Sequence, residues 1–152
     1  MKIREGGLEF DFDDESWKVF KFDEHPYYRD QMEKLDETKA IDFVGIHANE
    51  LFLIEVKDFR GHRIESKDRL SGGKLQIEIA QKVRDSLACI IGAYHNPSHT
   101  EDWMPYAKLL CNPQKEARVV VWLETDLPPS SHRLRQKSRK SVETQTFKKK
   151  LK

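Results

Sequence analysis

Two apolar runs of strand length, residues 40–46 (AIDFVGI) and 51–56 (LFLIEV), stand only four residues apart. Nearly continuous apolar runs of this length are typical of strands buried on both faces. The connection between them is His47, Ala48, Asn49 and Glu50, short enough for an antiparallel hairpin. Each run is broken by one acid: Asp42 in the first and Glu55 in the second, with Lys57 just beyond. A charge inside such a run is expensive unless it is paired or holds a metal.

If Ala48 and Asn49 form a two-residue loop, positions whose numbers add to 97 face each other, and Asp42 lies directly opposite Glu55. Their Cβ atoms would then be about 5 Å apart. Another loop length would turn the pair into a diagonal or separate it. Side chains alternate along a strand, so Glu55 and Lys57 share a face. Two carboxylates beside a lysine suit a hard divalent cation, since Mg²⁺ is content with one or two carboxylates and several waters. Such an ion activates water and offsets charge on a phosphoryl oxygen, and Lys57 is placed to orient that water or to balance the transition state. This is the equipment of phosphodiester hydrolysis. The structural alternative is a Glu55–Lys57 ion pair at the edge of the core, or Asp42 at a strand end facing solvent.

The flanking sequence supplies the rest of one domain. With 152 residues the chain can bury roughly two-thirds of its unfolded surface, and 38% apolar residues suffice for a core. Leu8, Phe10 and Phe12 alternate with acids, the pattern of a half-buried strand, and residues 17–22 suggest another. Residues 23–36 read as a short helix, with Pro26 in the first turn and Tyr28, Met32 and Leu35 on one side. Leu75, Ile79, Val83, Leu87, Ile90 and Tyr94 recur at steps of three or four, the buried stripe of a long helix. A shorter helix is expected over 101–110, a buried strand over 117–123, and a weak strand near Ile64. The order predicts an α/β (α+β) fold with a central mixed sheet flanked by helices.

These residues resemble the PD-(D/E)XK nuclease superfamily, the restriction-endonuclease-like fold. The resemblance rests on Asp42, twelve intervening residues, and then Glu55-Val56-Lys57 inside an apolar strand, with the stretch LFLIEVKDFRG running into a basic, glycine-containing turn. It implies that residues 1–129 form the nuclease-like domain. It implies that Asp42, Glu55 and Lys57 are catalytic, and that Asp42, Glu55 and the Val56 carbonyl hold Mg²⁺, with Mn²⁺ as a substitute. Members of the family often add an acid from the first helix; Glu33 is the candidate here, with Glu37 and Glu24 behind it. The chain departs from the family in two places: Ile41 stands where a proline often precedes the acid, and Asp85 stands four residues after Gln81, where some family exonucleases carry tyrosine. The implied activity is metal-dependent hydrolysis of nucleic acid, with DNA the expected form. The other reading of the same fold is a catalytically inactive module for nucleic-acid binding or protein assembly.

Charge is distributed unevenly. The net charge is +1, yet residues 130–152 carry nine Lys or Arg against one Glu, and residues 1–37 are strongly acidic. The basic tail, read as helical or partly disordered, is a candidate DNA arm or dimer interface. Leu134, Val142, Phe147 and Leu151 are loosely helix-spaced up to the last residues, a pattern compatible with a chain cut from a longer one. Arg60, Arg63 and Lys74, with Lys82 and Arg84 on the long helix, are the candidate phosphate contacts, alongside Lys67 and Arg69. Cutting both strands of a duplex requires two sites, so a homodimer is the expected assembly. No apolar run approaches the ~20 residues of a membrane span. The first residues do not resemble a signal peptide, and the two cysteines, Cys89 and Cys111, are far apart, so the cytoplasm is the expected compartment. His95 and His99, near Glu101 and Asp102, lack a third ligand placed by spacing. Trp17, Trp103 and Trp122 are expected in the core.

Overall fold

A computed structural model describes residues 1–61 and 73–125. The described chain forms β1 (Lys2–Glu5), β2 (Leu8–Asp11), β3 (Trp17–Lys21), a π-helical turn (Tyr28–Met32), β4 (Phe43–His47), β5 (Glu50–Asp58), α1 (Lys74–Tyr94), α2 (Thr100–Leu110) and β6 (Ala117–Glu124). Strands β3, β4, β5 and β6 lie side by side in that order; β3–β4 and β4–β5 are antiparallel, and β5–β6 is parallel. The parallel pair is reached through α1 and α2, as a same-direction return requires a long crossover. The fold is therefore mixed α/β around a four-stranded mixed sheet, with β1 and β2 as a separate hairpin.

The parity of β5 sorts the molecule into layers. Leu51 and Leu53 point toward the helices and join Val44, Cys89, Ile90, Trp103 and Tyr106 in the larger core. Ile54 and Val56 point the other way and join Phe43, with Phe52, Phe10 and Phe12 packed on them beneath the β1–β2 hairpin. A third cluster, Phe59, Leu75 and Ile79, with Val121 and Leu123 against it, closes the end of the sheet nearest the start of α1. Among the described residues no helix is long and apolar enough to cross a membrane.

The β4–β5 register is the one expected from a two-residue loop: Phe43 faces Ile54 and His47 faces Glu50. Ala48 and Asn49 both take positive φ, 48° and 61°, the turn whose twist matches a hairpin. The first apolar run does not pair over its full length, because β4 begins only at Phe43. The Ile41 amide instead donates to the buried Ser86 hydroxyl on α1 (3.0 Å), and the Lys39 amide donates to Asp85 (3.2 Å). Asp85 thus anchors the approach to β4.

Two further expectations are corrected, and one strand is added. The helix over 23–36 shrinks to residues 26–32, ending in the π-helical turn, which is closed by the Glu33 amide donating to the Tyr28 carbonyl (2.9 Å); Tyr28 is buried and Met32 packs on the core, but Leu35 is exposed, so the apolar side ends at Met32. Trp122 is 48% exposed because β6 is an edge strand, whereas Trp103 is fully buried. The first residues form β1, which lacks a clear alternation of its own and is ordered by pairing with β2. The weak strand near Ile64 and the 130–152 tail lie outside the described residues.

Candidate metal and phosphodiester site

Asp42 sits one residue before β4, so the register carries it opposite Glu55, and both follow the helix-facing parity of Val44 and Leu53. Lys57 continues that parity along β5. The Asp42 carboxylate is held by the Val56 amide, which donates to Oδ2 at 2.6 Å. Its backbone carbonyl accepts from the Phe22 amide at 2.9 Å. The acid is thereby fixed at both its backbone and its side chain.

Helix α1 completes the cluster with two residues, Glu78 and Lys82, that spacing along the chain does not bring to the hairpin. Glu78 and Lys82 are spaced i, i+4, so they lie on one side of α1. Lys57 Nζ lies 2.8 Å from Glu55 Oε1 and 2.9 Å from Glu78 Oε1. Lys82 Nζ lies 2.7 Å from Glu55 Oε1 and 3.4 Å from Asp42 Oδ1. Among the described residues the cluster joins three carboxylates, Asp42, Glu55 and Glu78, with two ammoniums. Glu55 is 0% exposed, and its Oε2 has no hydrogen-bond partner among the described residues. The other four side chains are 15–22% exposed, which opens the cluster to solvent on one side.

Burial raises the Glu55 pKa, and the neighbouring Asp42 charge adds to the rise; hydrogen bonds from Lys57 and Lys82 oppose it without cancelling it. Burial works against the Lys57 ammonium, but Glu55 and then Glu78 outweigh it, so its pKa lies above the ordinary value. Lys57 is therefore a charged donor at neutral pH rather than a base.

The other expected residues are distributed as follows. Lys82, expected at a phosphate-contacting surface, belongs to the carboxylate cluster. Glu33 is exposed at the end of the π-helical turn and does not complete a three-acid group with Asp42 and Glu55. Arg60 makes a two-point pair with Asp58 and reaches the Gly7 carbonyl, tying the end of β5 to the β1–β2 turn. Lys74 is exposed on the first turn of α1, and Arg84 is exposed and paired with Asp85. Arg63, Lys67 and Arg69 lie outside the described residues. Glu78 carried a signal in sequence: an acid four residues before a lysine, next to the buried stripe of a long helix.

A second cluster supplies the ligand that spacing alone did not. His25 joins His99 and Asp102, with one donor atom from each within 4.8 Å of the others. Its hydrogen bonding argues for packing. The Tyr27 amide donates to His25 Nδ1 (3.2 Å), so the neutral ring carries its proton on Nε2, which faces Asp102 Oδ2 at 3.9 Å. While that arrangement stands, neither ring nitrogen offers a lone pair to a cation. The ring packs against Trp103, with centroids 4.6 Å apart, and burial lowers its pKa.

Comparison with protein-family models, with curated proteins and with solved structures finds no significant match for this chain.

Proposed function

We propose that the protein is a Mg²⁺-dependent nuclease of restriction-endonuclease-like fold that hydrolyses phosphodiester bonds, with DNA as the expected substrate. The observation that carries this reading is the union of Asp42, Glu55 and Lys57 on one face of adjacent antiparallel strands, with one Glu55 oxygen buried and without a partner among the described residues. An orphaned buried carboxylate oxygen is costly in a cluster that serves only to hold the fold together. The strand order supports the same reading. A meander of three antiparallel strands is followed by helices and a fourth strand parallel to the third.

The donor set fits a hard cation. Asp42, Glu55 and the Val56 carbonyl offer the oxygen ligands that such a cation takes. Such a cation, when bound, stabilises charge on a phosphoryl oxygen and promotes ionisation of water. Asp42 is preset by the Val56 amide and needs little reorganisation. Lys57, anchored by Glu78, keeps its ammonium beside the reacting phosphate and offsets the charge that develops there. Mn²⁺ would substitute, and a homodimer would supply two sites to a duplex.

The non-catalytic reading has its own observation. Lys57 and Lys82 already neutralise much of Glu55 and Asp42, so the cluster holds together without a metal. Cleavage assays separate the two. Plasmid, linear duplex, single-stranded DNA and RNA are incubated with Mg²⁺, Mn²⁺ or EDTA, using wild type, Asp42→Ala and Lys57→Ala. Metal-dependent cleavage lost in both variants is expected. No cleavage on any substrate, or equal cleavage by all three proteins, removes the nuclease reading and leaves the binding module.

A further inference from the structure

We propose that Lys82 is a built-in occupant of the cation position: its ammonium bridges Asp42 and Glu55 in the metal-free protein and must leave before a divalent cation can bridge the same two carboxylates. The inference rests on the metal-site reading above and adds its regulation. The bridging distances are 2.7 Å to Glu55 Oε1 and 3.4 Å to Asp42 Oδ1.

The two lysines of the cluster differ in what they would lose. Lys57 touches Glu55 but also Glu78, so it keeps a carboxylate partner if a cation takes Glu55. Both carboxylates paired with Lys82 are candidate cation ligands. A cation held by Asp42 and Glu55 would take both acceptors at once, and its charge would repel the ammonium left behind. Lys57 therefore stays and Lys82 moves. Its side chain is 15% exposed, so it is not sealed in. A long, flexible stem ending in a point charge is suited to such an exchange. The released ammonium is then available to an anionic phosphate at the same mouth. Cation binding in the absence of nucleic acid is consequently weakened by the work of displacing Lys82.

The test is direct titration with Mn²⁺, followed by calorimetry, on the full chain. Lys82→Gln removes the competing charge and should bind Mn²⁺ roughly tenfold or more tightly than wild type, since a like charge in hydrogen-bonding range of the ion is gone. Lys82→Arg keeps the charge and should remain near wild type. A second measurement needs no variant. Acetylation of lysines in the wild-type protein, read by mass spectrometry, should rise at Lys82 when Mn²⁺ is added and stay constant at Lys18. Equal or weaker Mn²⁺ binding by Lys82→Gln overturns the inference and leaves the metal site standing. So does unchanged labelling of Lys82 in protein that binds Mn²⁺. Absence of Mn²⁺ binding in both wild type and Lys82→Gln, with both folded by circular dichroism, overturns the metal-site reading and this inference with it.

Discussion

The Val56 amide donates a 2.6 Å hydrogen bond to the Asp42 carboxylate across the β4–β5 hairpin. In a continued ladder a backbone carbonyl would accept this proton. The chain before Phe43 instead turns toward α1, where Ser86 takes the Ile41 amide. The Asp42 side chain replaces the missing acceptor, so one carboxylate both completes the sheet and faces the cluster. Asp42→Ala should therefore cost about 1–3 kcal/mol, because it leaves a buried N–H unpaired. Asp42→Asn keeps an acceptor oxygen and should cost less than about half of that, within the same range for a neutral hydrogen bond. Both should abolish metal-dependent cleavage. Urea unfolding beside the cleavage assay checks the split; equal stability of the two variants would contradict it.

Glu55 places function and stability in opposition. Its folded pKa is raised, first by burial and then by Asp42. The folded state then binds that proton more tightly than the unfolded chain. The contribution is full below the unfolded value of 4.5 and is lost as pH rises through the higher folded value. Glu55→Gln cannot ionise. It should be at least as stable as wild type at neutral pH, show a flatter dependence across that acidic window, and lack cleavage. Thermal melts from pH 4 upward test this; a melting temperature well below wild type at neutral pH would contradict it.

The hairpin turn carries a correctable strain. Ala48 sits at φ 48°, a left-handed conformation that costs a residue with a Cβ roughly 1 kcal/mol. Ala48→Gly should remove that cost, and the gain should be no more than about 0.6 kcal/mol once the greater unfolded-state freedom of glycine, about 0.4–1 kcal/mol, is counted. A shifted denaturation midpoint with unchanged cleavage is the expected result.

Gly45 is constrained for the opposite reason. A Cβ there would lie 3.1 Å from the Trp17 ring and 3.3 Å from Val19 Cβ, in the packed layer under the β1–β2 hairpin. Gly45→Ala should destabilise by about 1–3 kcal/mol, the usual range for overpacking. Tryptophan fluorescence should shift with it, since Trp17 is the side chain that must move.

The two cysteines should be separable in one experiment. Cys111 is exposed and Cys89 is buried, so a native thiol titration should modify one site at once and the other only on unfolding. Burial also pushes the Cys89 thiol from 9.0 up to about 12. The unfolded thiol ionises first, so stability is full below pH 9 and falls as pH rises toward 12. The slope, about 1.4 kcal/mol per pH unit for a single group, should be reduced in Cys89→Ala.

What could be read from the residues was what local pattern controls. Strand parity and a two-residue connection determine which positions of a hairpin face each other, so the sequence alone assigns Asp42, Glu55 and Lys57 to one face. The periodicity of residues 75–94 likewise predicts a long helix, observed as Lys74–Tyr94. Tertiary structure decided what meets across elements. Which side of α1 faces the cluster depends on how the helix is seated over the sheet, and that seating brought Glu78 to Lys57 and Lys82 to Glu55 from more than twenty residues away. The same packing drew residues 39–41 away from β4 and onto Asp85 and Ser86, and it left Trp122 on an open edge. A pattern of one-dimensional spacing encodes faces; the partner of each face is set by the folded contacts among elements distant in sequence.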